Sequence, residues 1–134
     1  MTLNVAHVSA RIPAQDLDRA RRWYSDKLGL DPVEERSGGL RYVVRDSEFA
    51  VYQSAGRSDG SFTQLAFTVD DIAGEIAVLV ARGVTFVEYD TPKLTTTDGV
   101  ARVEGNYPSK GTGEQAAWFR DSEGNLLAIG QPTR

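Results

Sequence analysis

The chain has 134 residues, 40% of them hydrophobic and 25% charged, with a net charge of −4. That size and balance suit one domain that buries a core without metal or disulfide staples, and they exclude intrinsic disorder of the whole chain. The absence of cysteine removes disulfides, thiolate metal sites and cysteine nucleophiles, and the absence of a basic tract leaves no electrostatic footprint for nucleic acid or an anionic membrane.

The first residues, MTLNVAHVSARIP, lack a charged region followed by an apolar run, and no stretch approaches ~18 apolar residues. The expectation is a cytoplasmic protein with no membrane partner. Residues 7–12, HVSARI, alternate with the period of a half-buried strand. Val8, Ala10 and Ile12 form the apolar face, and His7, Ser9 and Arg11 the other. A helix follows, capped by Asp16, with Leu17, Ala20, Tyr24 and Leu28 on one stripe, Trp23 beside it, and Gly29 at its end. Residues 33–36, 40–45 and 49–53 then read as three strands joined by short turns.

The same order recurs. Residues 64–69, QLAFTV, place Leu65, Phe67 and Val69 on the apolar face and Gln64, Ala66 and Thr68 opposite. Asp71 caps a second helix with Ile72, Ile76, Leu79 and Val80 on its stripe, ending at Gly83. Strands are expected at 84–89, 116–120 and 126–131. The tetrapeptide RDSE stands in the corresponding hairpin of each half, at 45–48 and 120–123. The chain therefore reads as one α+β domain, residues 1–134, made of two tandem βαβββ modules at about 4–55 and 61–131. Residues 91–114 are rich in Thr, Gly and Pro and read as a loop inserted in the second module, either a binding lid or a surface excursion.

The run DLDRARRWYSDKLGL resembles a signature of the vicinal oxygen chelate superfamily, which includes glyoxalase I, bleomycin-resistance proteins, fosfomycin-modifying enzymes and extradiol dioxygenases. LAFTVDDIAGEIAVLVARGVTF and AAWFRDSEGNLLAIGQ resemble its second-half signatures. The resemblance implies modules whose sheets curl into an open cup around a ligand, and a homodimer that closes it. It also implies metal ligands at matching positions of the two modules. His7 falls at the first, with Gln64 as its internal match, but Ala128 and Ala50 fall where carboxylate ligands are expected. Glu48 and Tyr52 flank Ala50 on the same face without restoring that pattern. One imidazole and one neutral amide are too few donors for a divalent metal, so no metal or other cofactor is expected.

His7 is the only histidine and hence the only candidate imidazole base. Tyr52 shares the cup face of its strand, whereas the faces of Trp118 and Tyr42 stay open. The expected ligand-binding set is His7, Gln64, Tyr52 and Trp118, around a cavity widened by Ala50, Ala66 and Ala128. Val8, Val51, Leu65, Phe67 and Ile129 are expected under the helices. The function read from this is a binding protein for a small apolar or aromatic organic molecule. The alternatives are an enzyme, lyase-, isomerase- or dioxygenase-like, with His7 as acid–base or metal ligand, and a partner-regulated interaction domain.

Overall fold

A computed structural model describes residues 2–105 and 111–133. The first half runs β1 (Ala10–Ala14), α1 (Leu17–Trp23), a π-helical turn (Tyr24–Leu28), β2 (Glu34–Arg36), β3 (Gly39–Val44) and β4 (Ser47–Gln53). The second runs β5 (Thr63–Thr68), α2 (Ile72–Ala81), β6 (Ala101–Glu104), β7 (Gly113–Arg120) and β8 (Leu126–Thr133). Hydrogen bonding divides the strands into two four-stranded sheets, ordered β1-β4-β3-β2 and β5-β8-β7-β6. In each, the first strand lies parallel to the last, and the other pairs are antiparallel. The two halves are thus βαβββ units.

Local chemistry starts and stops the helices as expected. The Asp16 carboxylate accepts from the Arg19 N–H at 3.0 Å, and that of Asp71 accepts from the Gly74 N–H at 3.1 Å. These bonds satisfy donors that the first helical turn leaves unpaired. The π-helical turn ends at Gly29, whose φ of 68° lies in the left-handed region that glycine adopts without a Cβ penalty.

Strand alternation sends one face of each sheet into a common core. Ile12, Tyr42, Phe49 and Val51 from the first sheet join Ala117, Phe119, Leu127 and Ile129 from the second, with Tyr24 and Leu79 from the helical segments. Tyr42, undecided in the sequence, is therefore a core residue, stacked on Phe49 at 4.9 Å. Val51 and Ile129 are buried and Leu65 and Phe67 pack against the cluster as expected.

Val8 is not under a helix; it is 82% exposed. The first strand starts at Ala10 rather than at residue 7, because its parallel partner meets it only from Phe49 onward. Residues before Ala10 have left the ladder. Face parity survives this shift, so Ala10, Ile12 and Ala14 still point inward.

The internal match also moves by two residues. Tyr42 opposite Phe49 and Phe119 opposite Leu127 are corresponding core pairs, and these strands place Ala10 against Phe49 and Leu65 against Leu127. Ser9, not His7, is then the counterpart of Gln64. Two residues are one full strand period, so a pattern of faces cannot detect the slip. The RDSE repeat is likewise inexact: Glu48 lies on β4 beside Phe49, whereas Glu123 lies in the turn before β8.

Residues 84–89 do not form a strand. They touch β7 through a single bridge, Phe86 to Phe119, and a bond from the Val87 N–H to the Trp118 carbonyl at 2.8 Å. Beyond them Tyr89 and Thr96 bond each other, which turns the chain back on itself. The outer-strand position passes to β6, paired with β7 from Ala101–Ala116 to Glu104–Gly113. Part of the expected 91–114 loop, at 101–104 and 113–114, is therefore strand, and residues 106–110 of it lie outside the described residues.

Candidate ligand-binding site

Each sheet has a second face turned away from the core. On the first, parity places Arg11 of β1, Arg41 and Val43 of β3, and Glu48, Ala50 and Tyr52 of β4 on that open face. His7 lies just before β1, exposed, with Nε2 2.5 Å from Glu48 Oε1. Arg41 donates from Nε to Glu48 Oε2 at 2.8 Å. The carboxylate thus joins an imidazole and a guanidinium at the wall of a concavity of about 430 Å³. Partial desolvation raises the Glu48 pKa, but hydrogen bonds from Arg41 and His7 and their charges outweigh it, leaving the carboxyl below its ordinary value.

One row across the open face of the second sheet is apolar. Trp118 of β7 stands opposite Ala128 of β8, which stands opposite Ala66 of β5. The indole orientation is set at both ends. Its Nε1–H donates to Thr63 Oγ1 at 3.0 Å, and Tyr89 meets the ring edge-on at 5.4 Å. This settles the face of Trp118: its neighbour Phe119 takes the core side, stacked on Trp23 and edge-on to Phe86. Gln64 lies where the β5–β8 register shifts, and its half-buried side chain leaves Oε1 with no partner among the described residues.

The two faces meet at one place. Because β1 begins opposite Phe49, Ser47 and Glu48 have no β1 partner on that side. A cleft of about 500 Å³ lies there, lined by Ser47 and Glu48 from the first sheet and by Leu65, Ala66 and Thr68 from the second. Its one wall carries the charged cluster, and its other wall begins the Ala66–Ala128–Trp118 row.

Of the expected binding residues, His7 joins Glu48 and Arg41, and Tyr52 shares their face. Trp118 and Gln64 belong to the other sheet. No described hydrogen bond links His7 with Gln64. Sequence reasoning noted Glu48 only as a neighbour of Ala50 and missed its bond to His7, since β4 parity could place the carboxylate but not the departing segment that bears the imidazole. It missed Arg41 and Tyr89 as well. Tyr89 could have been found from Val84 and Phe86 pointing inward, which puts odd-numbered residues of that segment on the opposite side.

A family model for the Glyoxalase/Bleomycin resistance protein/Dioxygenase superfamily matches residues 4–129. The chain belongs to this superfamily. Among curated protein sequences none matches significantly. Solved structures share the fold. A glyoxalase/bleomycin resistance protein/dioxygenase from Alicyclobacillus acidocaldarius is 17% identical, with 95% of this chain and 91% of that one covered and a TM-score of 0.70. TnmS3, an antibiotic-binding protein from Streptomyces sp. CB03234, is 20% identical over 98% of this chain and 100% of its own, at 0.63. A bleomycin-binding protein complexed with bleomycin is 18% identical over 96% and 100%, at 0.66.

A divalent metal, as some superfamily relatives named above imply, does not fit the residues present. Ala50 and Ala128 occupy corresponding positions on the last strands and have no donor atoms. Ser9 replaces His7 in the match to Gln64. Among the described residues no group of three His, Cys, Asp or Glu side chains converges on one point. His7 and Glu48 are two donors already engaged with each other and with Arg41. Also among the described residues, no helix is long and apolar enough to cross a membrane.

Proposed function

We propose that the protein binds a small apolar or aromatic organic molecule in the cleft between β4 and β5 and holds it without changing it. The observation that carries this reading is the cleft itself, charged at Glu48 on one wall and apolar from Ala66 towards Trp118 on the other. Pockets for organic ligands are mostly apolar with a few placed polar groups. Small side chains at Ala66 and Ala128 leave the Trp118 ring standing proud, ready to stack on a planar compound. His7, Gln64, Tyr52 and Trp118 are the proposed contacts. The similarity to TnmS3, an antibiotic-binding protein, and to the bleomycin-binding protein supports a ligand of the antibiotic kind.

A homodimer completes the cup in this reading. Support comes from apolar side chains at the open face of the first sheet that remain in water, Val8 at 82% and Val43 at 41% exposure. Sedimentation should show a dimer at micromolar concentration; a concentration-independent monomer rejects this part. The binding reading is tested by calorimetry with planar natural products against wild type and Trp118→Ala. Loss of binding in the variant supports it, and equal affinities reject it.

The second reading, an acid–base enzyme, has one observation in its favour. Glu48 holds the His7 imidazole at 2.5 Å, the arrangement that orients a general base. Turnover of any bound compound that disappears in His7→Gln would favour it over binding alone.

A further inference from the structure

Ala50 of β4 pairs with Arg11 of β1 on one side and with Arg41 of β3 on the other. The three residues form one cross-strand row, so their side chains leave the same face. With neighbouring strands roughly 4.8 Å apart, the two arginine Cα atoms stand roughly 10 Å apart across an alanine methyl. Ala50 contributes neither charge nor hydrogen bond, so its two neighbours set the polarity of the row.

The arginines differ in what holds them. Arg41 is tied by Nε and Nη2 to Glu48 Oε2, both at 2.8 Å, which leaves Nη1 without a described partner. Arg11 is exposed and has no hydrogen-bond or ion-pair partner among the described residues. The hydroxyl of half-buried Tyr52, next along β4 on the same face, is likewise unpartnered among them. Donors therefore flank Ala50, and Glu48, two residues away on the same face of β4, has its two oxygens taken by His7 and Arg41. Along this row and its neighbour Glu48, two guanidinium groups meet one carboxylate, an excess of cationic donors. That excess matches a monoanion, and a guanidinium fork fits the two oxygens of a carboxylate.

We propose that Arg11 and Arg41 clamp the carboxylate of an organic acid over Ala50, with the Tyr52 hydroxyl as a further donor. The ligand class is an aromatic or apolar monocarboxylic acid. Its acid group meets the first sheet while its body extends into the cleft towards Ala66 and Trp118. Glu48 acts as a positioning residue that aims Arg41 along the row. This inference rests on the binding reading above for the apolar body and adds the polar end.

The test uses two compounds of one shape and different charge, 2-naphthoate and 2-naphthamide, titrated by calorimetry into the whole protein. Wild type should bind the acid about tenfold more tightly than the amide, the size expected of charge-assisted hydrogen bonds. Arg11→Gln should reduce that preference to near unity without weakening amide binding. Arg11→Lys should restore part of it, since it returns the charge without the fork. Arg11 is exposed, so unchanged thermal midpoints are expected and show that the variants fold. Equal affinities of wild type for acid and amide, or a preference untouched by Arg11→Gln, overturn the clamp while leaving the apolar reading intact. An acid that binds and loses its preference in Arg11→Gln, yet is indifferent to Trp118→Ala, supports the clamp and overturns the aromatic wall. Failure of both compounds to bind overturns both.

Discussion

Glu123, in the turn before β8, receives Arg19 of α1 in two hydrogen bonds, from Nε at 2.8 Å and Nη2 at 2.9 Å, which joins the second module to the first. The same carboxylate accepts from the backbone N–H groups of Gln15 and Asp16 at 2.9 and 3.0 Å. Its side chain is fully buried, yet four donors meet it there, with the Ser122 hydroxyl as a fifth. Burial raises the Glu123 pKa, but the bonds from Arg19, Ser122 and the backbone outweigh it and bring the carboxyl to about 2.

Glu123 therefore links stability to pH. A depressed carboxyl contributes stability above its unfolded pKa, near 4.5, and loses that contribution as pH falls towards the folded value of about 2. Wild type should lose about 2–3 kcal/mol through this group between those limits. Glu123→Gln should be less stable at pH 7 by about 2–4 kcal/mol, because buried donors lose a charged acceptor, and its acid limb should be flatter. Urea midpoints of both proteins at pH 7, 4 and 3 measure this. Parallel acid limbs would reject the linkage.

The start of β1 can be checked by stability alone. Val8→Ser should change unfolding free energy by under about 0.5 kcal/mol, because the side chain already faces water. Ile12→Ala should cost about 2–4 kcal/mol, since Ile12 is 1% exposed in the shared core. A large loss from Val8→Ser would return the strand to residues 7–12.

Phe119 is the second-module residue that α1 meets through Trp23. Phe119→Ala should cost about 3–5 kcal/mol and lower cooperativity between the modules, because it empties a site that touches Trp23 and Phe86 together. Calorimetric unfolding would show a depressed or split transition; an unchanged single peak would reject it.

Metal content is expected to stay low. After dialysis against Zn²⁺, Ni²⁺ or Mn²⁺ the protein should keep well under one equivalent, because His7 and Glu48 offer two donors and, among the described residues, no third carboxylate or imidazole converges with them. Stoichiometric retention that is lost in His7→Gln would show a ligand set this reading has missed.

Loss of Trp118 should be felt in binding rather than folding. Trp118→Ala removes a half-exposed ring from an open face, so planar ligands should weaken by about 1–3 kcal/mol while the thermal midpoint shifts by a few degrees at most. Tyr52→Ala should weaken binding by a comparable amount in calorimetry.

The sequence by itself determined the order of elements, the duplication, the helix caps and which face of nearly every strand is apolar. Each of these follows from contacts within a few residues: Asp16 and Asp71 reach donors three residues on, and alternation is a property of the strand itself. It also determined that Ala50 and Ala128 offer a metal nothing to bind. Tertiary structure alone decided the register. A two-residue slip of β1 leaves every face unchanged, so only pairing with Phe49 could set Ser9 rather than His7 against Gln64 and expose Val8. Likewise, local pattern favoured residues 84–89 as a strand, but β7 took Ala101–Glu104 as its long partner there. The Glu48 contact with His7, the place of Arg11 opposite Ala50 and the cleft against Ala66 all join residues distant in sequence, whereas Arg41 meets Glu48 and Ala50 within one hairpin. Local preferences set which way a side chain points; which side chains then meet depends on long-range pairing that no local pattern encodes.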